Sequence, residues 1–342
     1  MNKSDSYLLV TGGAGFIGSN FIKYYLTQYP DSKVVNVDKL TYAGSTSNLE
    51  SVADHPNYHF VQADIADDKA VDRIFNDYLI GGVINFAAES HVDRSIEDAS
   101  SFVNTNVMGT MVLLQTARRV WTEQGILQTA RFHHISTDEV YGSLDNDEKF
   151  HEQTPYDPRN PYSASKAGAN LLVRSFGYTY GMNIVISSSS NNYGPSQHEE
   201  KLIPTIISNA LRHNPIPIYG DGKNVREWLY VEDHCRALDL IFHKGQSMDS
   251  YNIGGGNELK NIDLAVKICE ILDNNYPDRK GSLDSFKDLI TYTEDRLGHD
   301  RRYAVDDRKL RGAMGWQPVV EMGNGLEETV EWYVNQWAPT SH

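Results

Sequence analysis

The chain has 342 residues, 40% hydrophobic and 23% charged, with 46 acidic against 31 basic side chains for a formal net charge of −15. That allows a sizeable core and, at roughly 150 residues per domain, two lobes, while the acidic balance excludes a surface built to neutralise nucleic-acid phosphates. Cys235 and Cys269 are the only cysteines, too few for a disulfide framework or a paired-cysteine metal site, so a reducing compartment and no bound metal are expected.

The N-terminus runs straight into a strand without a signal-type apolar region, and no apolar run approaches the roughly 20 residues of a membrane span. A cytoplasmic protein with no membrane partner is the expectation. The first strand is predicted at residues 7–11, with Leu8-Leu9-Val10-Thr11 as its apolar run. Gly12-Gly13-Ala14-Gly15-Phe16-Ile17-Gly18 follows at once, and a helix is predicted from Phe16 to Gln28. In such a loop Gly12 permits the tight turn, Gly15 lets the backbone approach a diphosphate, and Gly18 lets the helix pack on the sheet. The anion then sits on a helix N-terminus, where unpaired N–H groups and the helix dipole favour negative charge.

The second strand, residues 33–38, ends in Asp38, 20 residues after Gly18. That is where a carboxylate grips a ribose diol, and the same charge repels a 2′-phosphate, so NAD is favoured over NADP. Further apolar runs at 58–63 and 82–87 alternate with an amphipathic stretch at 71–78, and strands are predicted at 131–136 and 183–189. Such alternation reads as βαβ units, that is, an α/β fold with a Rossmann-type doubly wound parallel sheet. Asp64-Ile65 follows the third strand, where an adenine edge is expected, and Phe86-Ala87-Ala88 follows the fourth with small residues that allow close approach of a cofactor.

Thr137-Asp138-Glu139 follows the fifth strand, and Tyr162 and Lys166 stand four residues apart on a helix beginning after Pro161. A phenol titrates near pH 10, so a Tyr base needs a nearby cation, which Lys166 supplies. From Asn191 the texture shifts to Gly, Pro and charge, predicting loops and short irregular elements that cap a ligand. The expected division is an NAD-binding domain at 1–190 with a returning segment near 228–255, and a smaller mixed α/β lobe at 191–227 and 256–342 that binds substrate.

These motifs resemble the extended short-chain dehydrogenase/reductase superfamily. More narrowly, residues 38–44, Ala87-Ala88-Glu89-Ser90-His91-Val92-Asp93-Arg94-Ser95, Ser136-Thr137-Asp138-Glu139-Val140-Tyr141-Gly142 and the segment 226–234 resemble the dTDP-glucose 4,6-dehydratase family. The resemblance implies an NAD-dependent lyase acting on a nucleotide sugar. It implies Thr137 on the sugar 4-oxygen, Asp138 as proton donor, Glu139 as base, and Tyr162 with Lys166 for hydride transfer. For the cofactor it adds Lys39, Leu40, Thr41, Ser90, Thr105 and Asn192 to the loop and strand-end residues. For the substrate it implies Ser90, Asn191, Lys201, Leu202, Pro217, Tyr219, Arg226, Asn261, Arg296 and His299. It also implies a homodimer, joined in a four-helix bundle by helices predicted at 101–121 and 163–180.

Overall fold

The computed structural model describes residues 6–145 and 147–337; the extreme ends of the expected domains lie outside them. In chain order the first half contains β1 (Tyr7–Thr11), α1 (Phe16–Gln28), β2 (Lys33–Asp38), β3 (Tyr58–Gln62), α2 (Asp68–Asp77), β4 (Ile80–Asn85), α3 (Val92–Glu97), α4 (Ala99–Phe102), α5 (Thr110–Glu123), β5 (Arg131–Thr137), α6 (Pro161–Tyr180) and β6 (Ile184–Ser189). The second half adds β7 (Asn191–Tyr193), α7 (Leu202–Leu211), β8 (Ile216–Tyr219), β9 (Val225–Tyr230), α8 (Val231–Lys244), β10 (Ser250–Ile253), β11 (Asn257–Lys260), α9 (Asn261–Asn275), β12 (Ile290–Thr293), α10 (Arg308–Met314) and α11 (Met322–Gln336).

Seven parallel strands form the central sheet in the order β3-β2-β1-β4-β5-β6-β10. Its strands read as nearly continuous apolar runs because both faces are covered. Alternate residues of one strand therefore serve opposite cores: Leu9 packs with Val35, Leu113 and Phe132, while Leu8 and Val10 pack with Phe21, Ile22 and Leu238. Strand order reverses between β1 and β4, and in doubly wound sheets a ligand crevice opens beyond the strand ends at such a point.

Beyond residue 190 the chain is more regular than its punctuation suggests. A three-stranded sheet, β11-β9-β7, and a two-stranded pair, β12-β8, are backed by α7, α9 and α11 around a third core that includes Ile207, Trp228, Leu264 and Tyr333. Gly and Pro mark the joints there, and the amphipathic stretches between them fold as helices. A second difference lies at the predicted helix 101–121, which is interrupted by π-helical turns at Val103–Gly109. Inside them Asn106 accepts from the Glu89 N–H and donates to the Glu89 carbonyl and to Ser165 Oγ. These bonds tie the interruption to the loop after β4 and to α6. No helix of the described residues is long and apolar enough to cross a membrane.

Candidate active site

A cavity opens at the reversal point. It is lined by the loop Gly12 to Gly18, the ends of β2 and β3, the segment Phe86 to Ser90, Thr105, the strand end Ile135 to Glu139, Tyr162, Lys166, and residues from 189–201. Of the predicted cofactor residues it gathers Gly12, Gly15, Phe16, Ile17, Gly18, Asp38, Lys39, Thr41, Asp64, Ile65, Phe86, Ala87, Ala88, Ser90, Thr105, Tyr162, Lys166 and Asn192. Leu40 is absent from the lining; it turns with φ +57° and donates its N–H to Asp38 Oδ1 at 2.8 Å.

The glycine loop has room for an anion. Gly12 takes φ +69°, and a Cβ on it would lie 2.6 Å from the Ala87 nitrogen. A Cβ on Gly18 would lie 2.4 Å from the Gly12 carbonyl oxygen, so its smallness seats α1 on the loop itself, where packing on the sheet is the usual reason. Gly15 begins α1 with no side-chain cap, and no acidic residue stands in the first turn. The helix therefore presents N–H groups without a competing carboxylate, which suits a diphosphate. Asp38 Oδ2 accepts from the Ala14 N–H at 2.9 Å, and Lys39 pairs with Asp64 at 2.7 Å.

At the other end of the cavity, β5 and α6 bring the five predicted catalytic residues together. Lys166 is buried and donates its ammonium to the Ile135 carbonyl at 2.7 Å; burial pushes it down to about 7. The Tyr162 phenol is held well above its ordinary value by burial and by the charge of Glu139, with an opposing hydrogen bond from Thr137. Thr137 also caps the short turn Asp138–Tyr141, its hydroxyl accepting from the Glu139 N–H at 3.3 Å.

The adjacent carboxyls have different surroundings. Asp138 is buried, its Oδ2 has no hydrogen-bond partner, and burial followed by the charges of Glu139 and Glu227 raises it well above the carboxylate range. Glu139 is only partly covered; burial raises it, while Arg226, Lys201 and a hydrogen bond from Asn160 pull it back. Both carboxyls are thus raised, Asp138 well above the carboxylate range and Glu139 with two cations and a hydrogen bond opposing the rise.

Among the predicted substrate residues, Ser90, Thr137, Asn191 and Lys201 line the same cavity, with Leu202 next in chain at the start of α7. Pro217, Tyr219, Arg226, Asn261, Arg296 and His299 do not line it. Arg226 is buried, donates to the carbonyls of Val225 and Asp300 at 2.8 and 3.0 Å, and lies over the Tyr303 ring. Arg296 forms a two-pronged pair with Asp93 at 2.5 and 2.8 Å, and His299 meets Asp295 at 2.6 Å. Arg296 and His299 both approach Tyr219, which gathers these three into one cluster. Asn261 is buried at the start of α9 with Oδ1 unpartnered.

Sequence reasoning passed over Asn160, His198 and Glu200. The last lies nine-tenths buried on the cavity wall, 3.5 Å from His91 and 3.7 Å from His198. The only signal for it was its place beside Lys201. Among the described residues no group of three acidic, histidine or cysteine side chains is placed to hold a metal.

A family model described as GDP-mannose 4,6 dehydratase matches residues 9–329. A dTDP-glucose 4,6-dehydratase of Haemophilus influenzae is 48% identical over 330 residues, covering 96% of this chain and 97% of the relative. Among solved structures, a dTDP-glucose 4,6-dehydratase of Streptomyces venezuelae with NAD bound is 43% identical with a TM-score of 0.87, covering 97% of this chain and 99% of that one. One from Bacillus anthracis in complex with NAD is 41% identical with a TM-score of 0.85, covering 97% and 98%. With nearly its whole length matched at almost half identity, the chain belongs to the dTDP-glucose 4,6-dehydratases, within the wider family of nucleotide-sugar 4,6-dehydratases.

Proposed function

We propose that this protein is an NAD-dependent hydro-lyase that converts dTDP-glucose to dTDP-4-dehydro-6-deoxy-glucose. The observation that carries this reading is the pair of adjacent carboxyls, Asp138 and Glu139, on the cavity wall beside Tyr162. A nucleotide-sugar 4-epimerase, which returns hydride to C4, has no use for an acid and a base on neighbouring residues.

Thr137 holds the sugar 4-oxygen while Tyr162 takes the 4-hydroxyl proton. When bound, NAD supplies the hydride acceptor at C4 and, later, the hydride donor at C6. The 4-ketone acidifies C5–H because the resulting carbanion is delocalised as an enolate, and Glu139 takes that proton. Asp138 protonates the 6-oxygen, which leaves as water. Glu139 then returns its proton to C5, and the proton gained by Tyr162 and that lost by Asp138 balance through solvent. No net redox change occurs.

To hold the cofactor we assign the diphosphate to the Gly12 to Gly18 loop, the ribose diol to Asp38 and the adenine edge to Asp64-Ile65, with Leu40 shaping the Asp38 turn. The substrate falls to the lobe at 191–227 and 256–342. Lys201, Arg226 and Arg296 supply positive charge for its diphosphate and His299 an imidazole, with Pro217 and Tyr219 beside the base. We also read the protein as cytoplasmic, supported by two free, buried cysteines, and as a homodimer. Val103, Met108, Leu171 and Tyr178 are exposed on the two helices expected to form a four-helix bundle; a mass in solution of twice the 38.5 kDa chain checks the dimer.

The test of the activity is incubation with dTDP-glucose, UDP-glucose, CDP-glucose and GDP-mannose in turn, measuring the 4-keto-6-deoxy product. Preferential turnover of dTDP-glucose is expected. Equal turnover of UDP-glucose, or none of dTDP-glucose, overturns the assignment.

A further inference from the structure

Asn160 precedes α6 and does two things at once. Its Oδ1 accepts the Ser163 N–H at 2.8 Å, while Ser163 Oγ bonds back to Asn160, which closes a capping box on the helix that carries Tyr162 and Lys166. With the oxygen committed to the helix, the amide orientation is fixed and Nδ2 must point away from it. It points at the carboxylate of Glu139, donating to Oε2 at 3.5 Å. That distance is long, as hydrogen bonds at reacting groups often are before substrate tightens them. It is the one side-chain hydrogen bond to the Glu139 carboxylate found among the described residues.

The two groups joined in this way stand on different elements, Glu139 just beyond β5 and Tyr162 in the first turn of α6. In the proposed reaction they act in succession on neighbouring atoms, the 4-hydroxyl and C5–H, so their spacing must be kept within fractions of an ångström. We infer that Asn160 is a positioning residue for dehydration, clamping the C5 base to the cap of the helix that bears the phenol. This rests on the proposed function above.

A donor on a carboxylate favours its charged form, so the clamp also keeps Glu139 ionised toward lower pH. The other groups facing Glu139 are the cations Arg226, Lys201 and Arg296, the acids Asp138 and Asp300, and the phenols Tyr162 and Tyr303. None of them also caps α6.

Two variants separate the clamp from the cap. Asn160→Ser keeps a good N-cap acceptor but cannot reach Glu139. It should fold with an unchanged thermal midpoint and form NADH and the 4-keto sugar at near the parental rate. It should eliminate water roughly tenfold more slowly, with the acid limb of the dehydration pH profile moved upward. Asn160→Asp keeps the cap and the shape but sets a carboxyl against Glu139, so its acid limb should move further in the same direction. Dehydration at the parental rate with an unmoved limb in both variants overturns the inference. So does an equal slowing of hydride transfer and dehydration without a pH shift, which is the signature of a cap alone. Failure of the parent protein to turn over dTDP-glucose sinks the functional reading itself, whereas an active parent with normal variants sinks only the clamp.

Discussion

Lys166 on α6 donates its ammonium to the carbonyl of Ile135 on β5 at 2.7 Å. The bond pins the helix that bears Tyr162 to the strand that ends in Thr137 and leads into Asp138 and Glu139. The residues proposed for hydride transfer and for dehydration are thereby held on one corner, where groups must be fixed to fractions of an ångström to act in sequence.

Tyr162→Phe should abolish the first hydride step. Burial and Glu139 both oppose the phenolate, so a phenol acting as base here depends on positive charge beside it. Losing that group should lower turnover by roughly 10²–10⁴-fold, with no NADH absorbance on adding substrate. NADH at the parental level would remove the phenol from the step.

Glu139→Gln and Asp138→Asn should part the two halves of the reaction. Both should still produce NADH and the 4-keto sugar, and both should release water at least about a hundredfold more slowly. Solvent-deuterium exchange at C5 distinguishes them, since only the Asp138 variant retains the base. Exchange at the parental rate in Glu139→Gln would mean another group removes that proton.

Dehydration should follow a bell in pH. Its base must be ionised, so the rate climbs as pH rises through the raised value of Glu139; its acid must be protonated, so the rate falls as pH rises through the higher value of Asp138. Asp138→Asn should lose the falling limb while keeping the rising one. A falling limb that survives unchanged in that variant belongs to a different group.

Two glycines should separate folding from cofactor binding. Gly12→Ala meets backbone at 2.6 Å and must hold φ +69°, which costs about 1–2 kcal/mol for the left-handed backbone alone, so both the thermal midpoint and bound NAD should fall. In Gly15→Ala the new Cβ meets only the Gly12 carbonyl oxygen, at 3.3 Å, with φ −78°. The midpoint should hold and NAD should be lost, as measured in cofactor released on denaturation. Full NAD content in Gly15→Ala would move the diphosphate elsewhere.

Much of the fold was legible because its signals are local. Leu8 to Thr11 with the loop to Gly18, and Asp38 at the end of β2, identify the βαβ opening by spacing alone. Pro161 foretold the start of α6, and its Tyr162/Lys166 spacing put both on one face. The second lobe was harder: α7, α9 and α11 draw their apolar faces from a core shared with β8, β9 and β12, and the intervening Gly and Pro residues obscured that periodicity. The π-helical break at Val103–Gly109 was invisible, since it is held by Asn106 reaching Glu89 and Ser165, both remote in sequence.

By itself the sequence determined the chemical inventory: a glycine loop opening a helix, a carboxylate at the end of the second strand, a Tyr/Lys pair and two adjacent carboxyls. It had no means to tell those carboxyls apart. Tertiary structure gave them different surroundings, on which proton affinity depends. Asp138 is buried with an unpartnered oxygen near Glu227, Arg226 on β9 acts on both carboxyls, and Glu139 is also faced by Lys201 at the edge of α7 and Asn160 at the cap of α6. The structure also set Arg226 on the carbonyls of Val225 and Asp300, outside the cavity lining, and found partners for Arg296 and His299 in Asp93 and Asp295. Desolvation and Coulomb forces act through space between residues distant in the chain, and only the fold sets those distances.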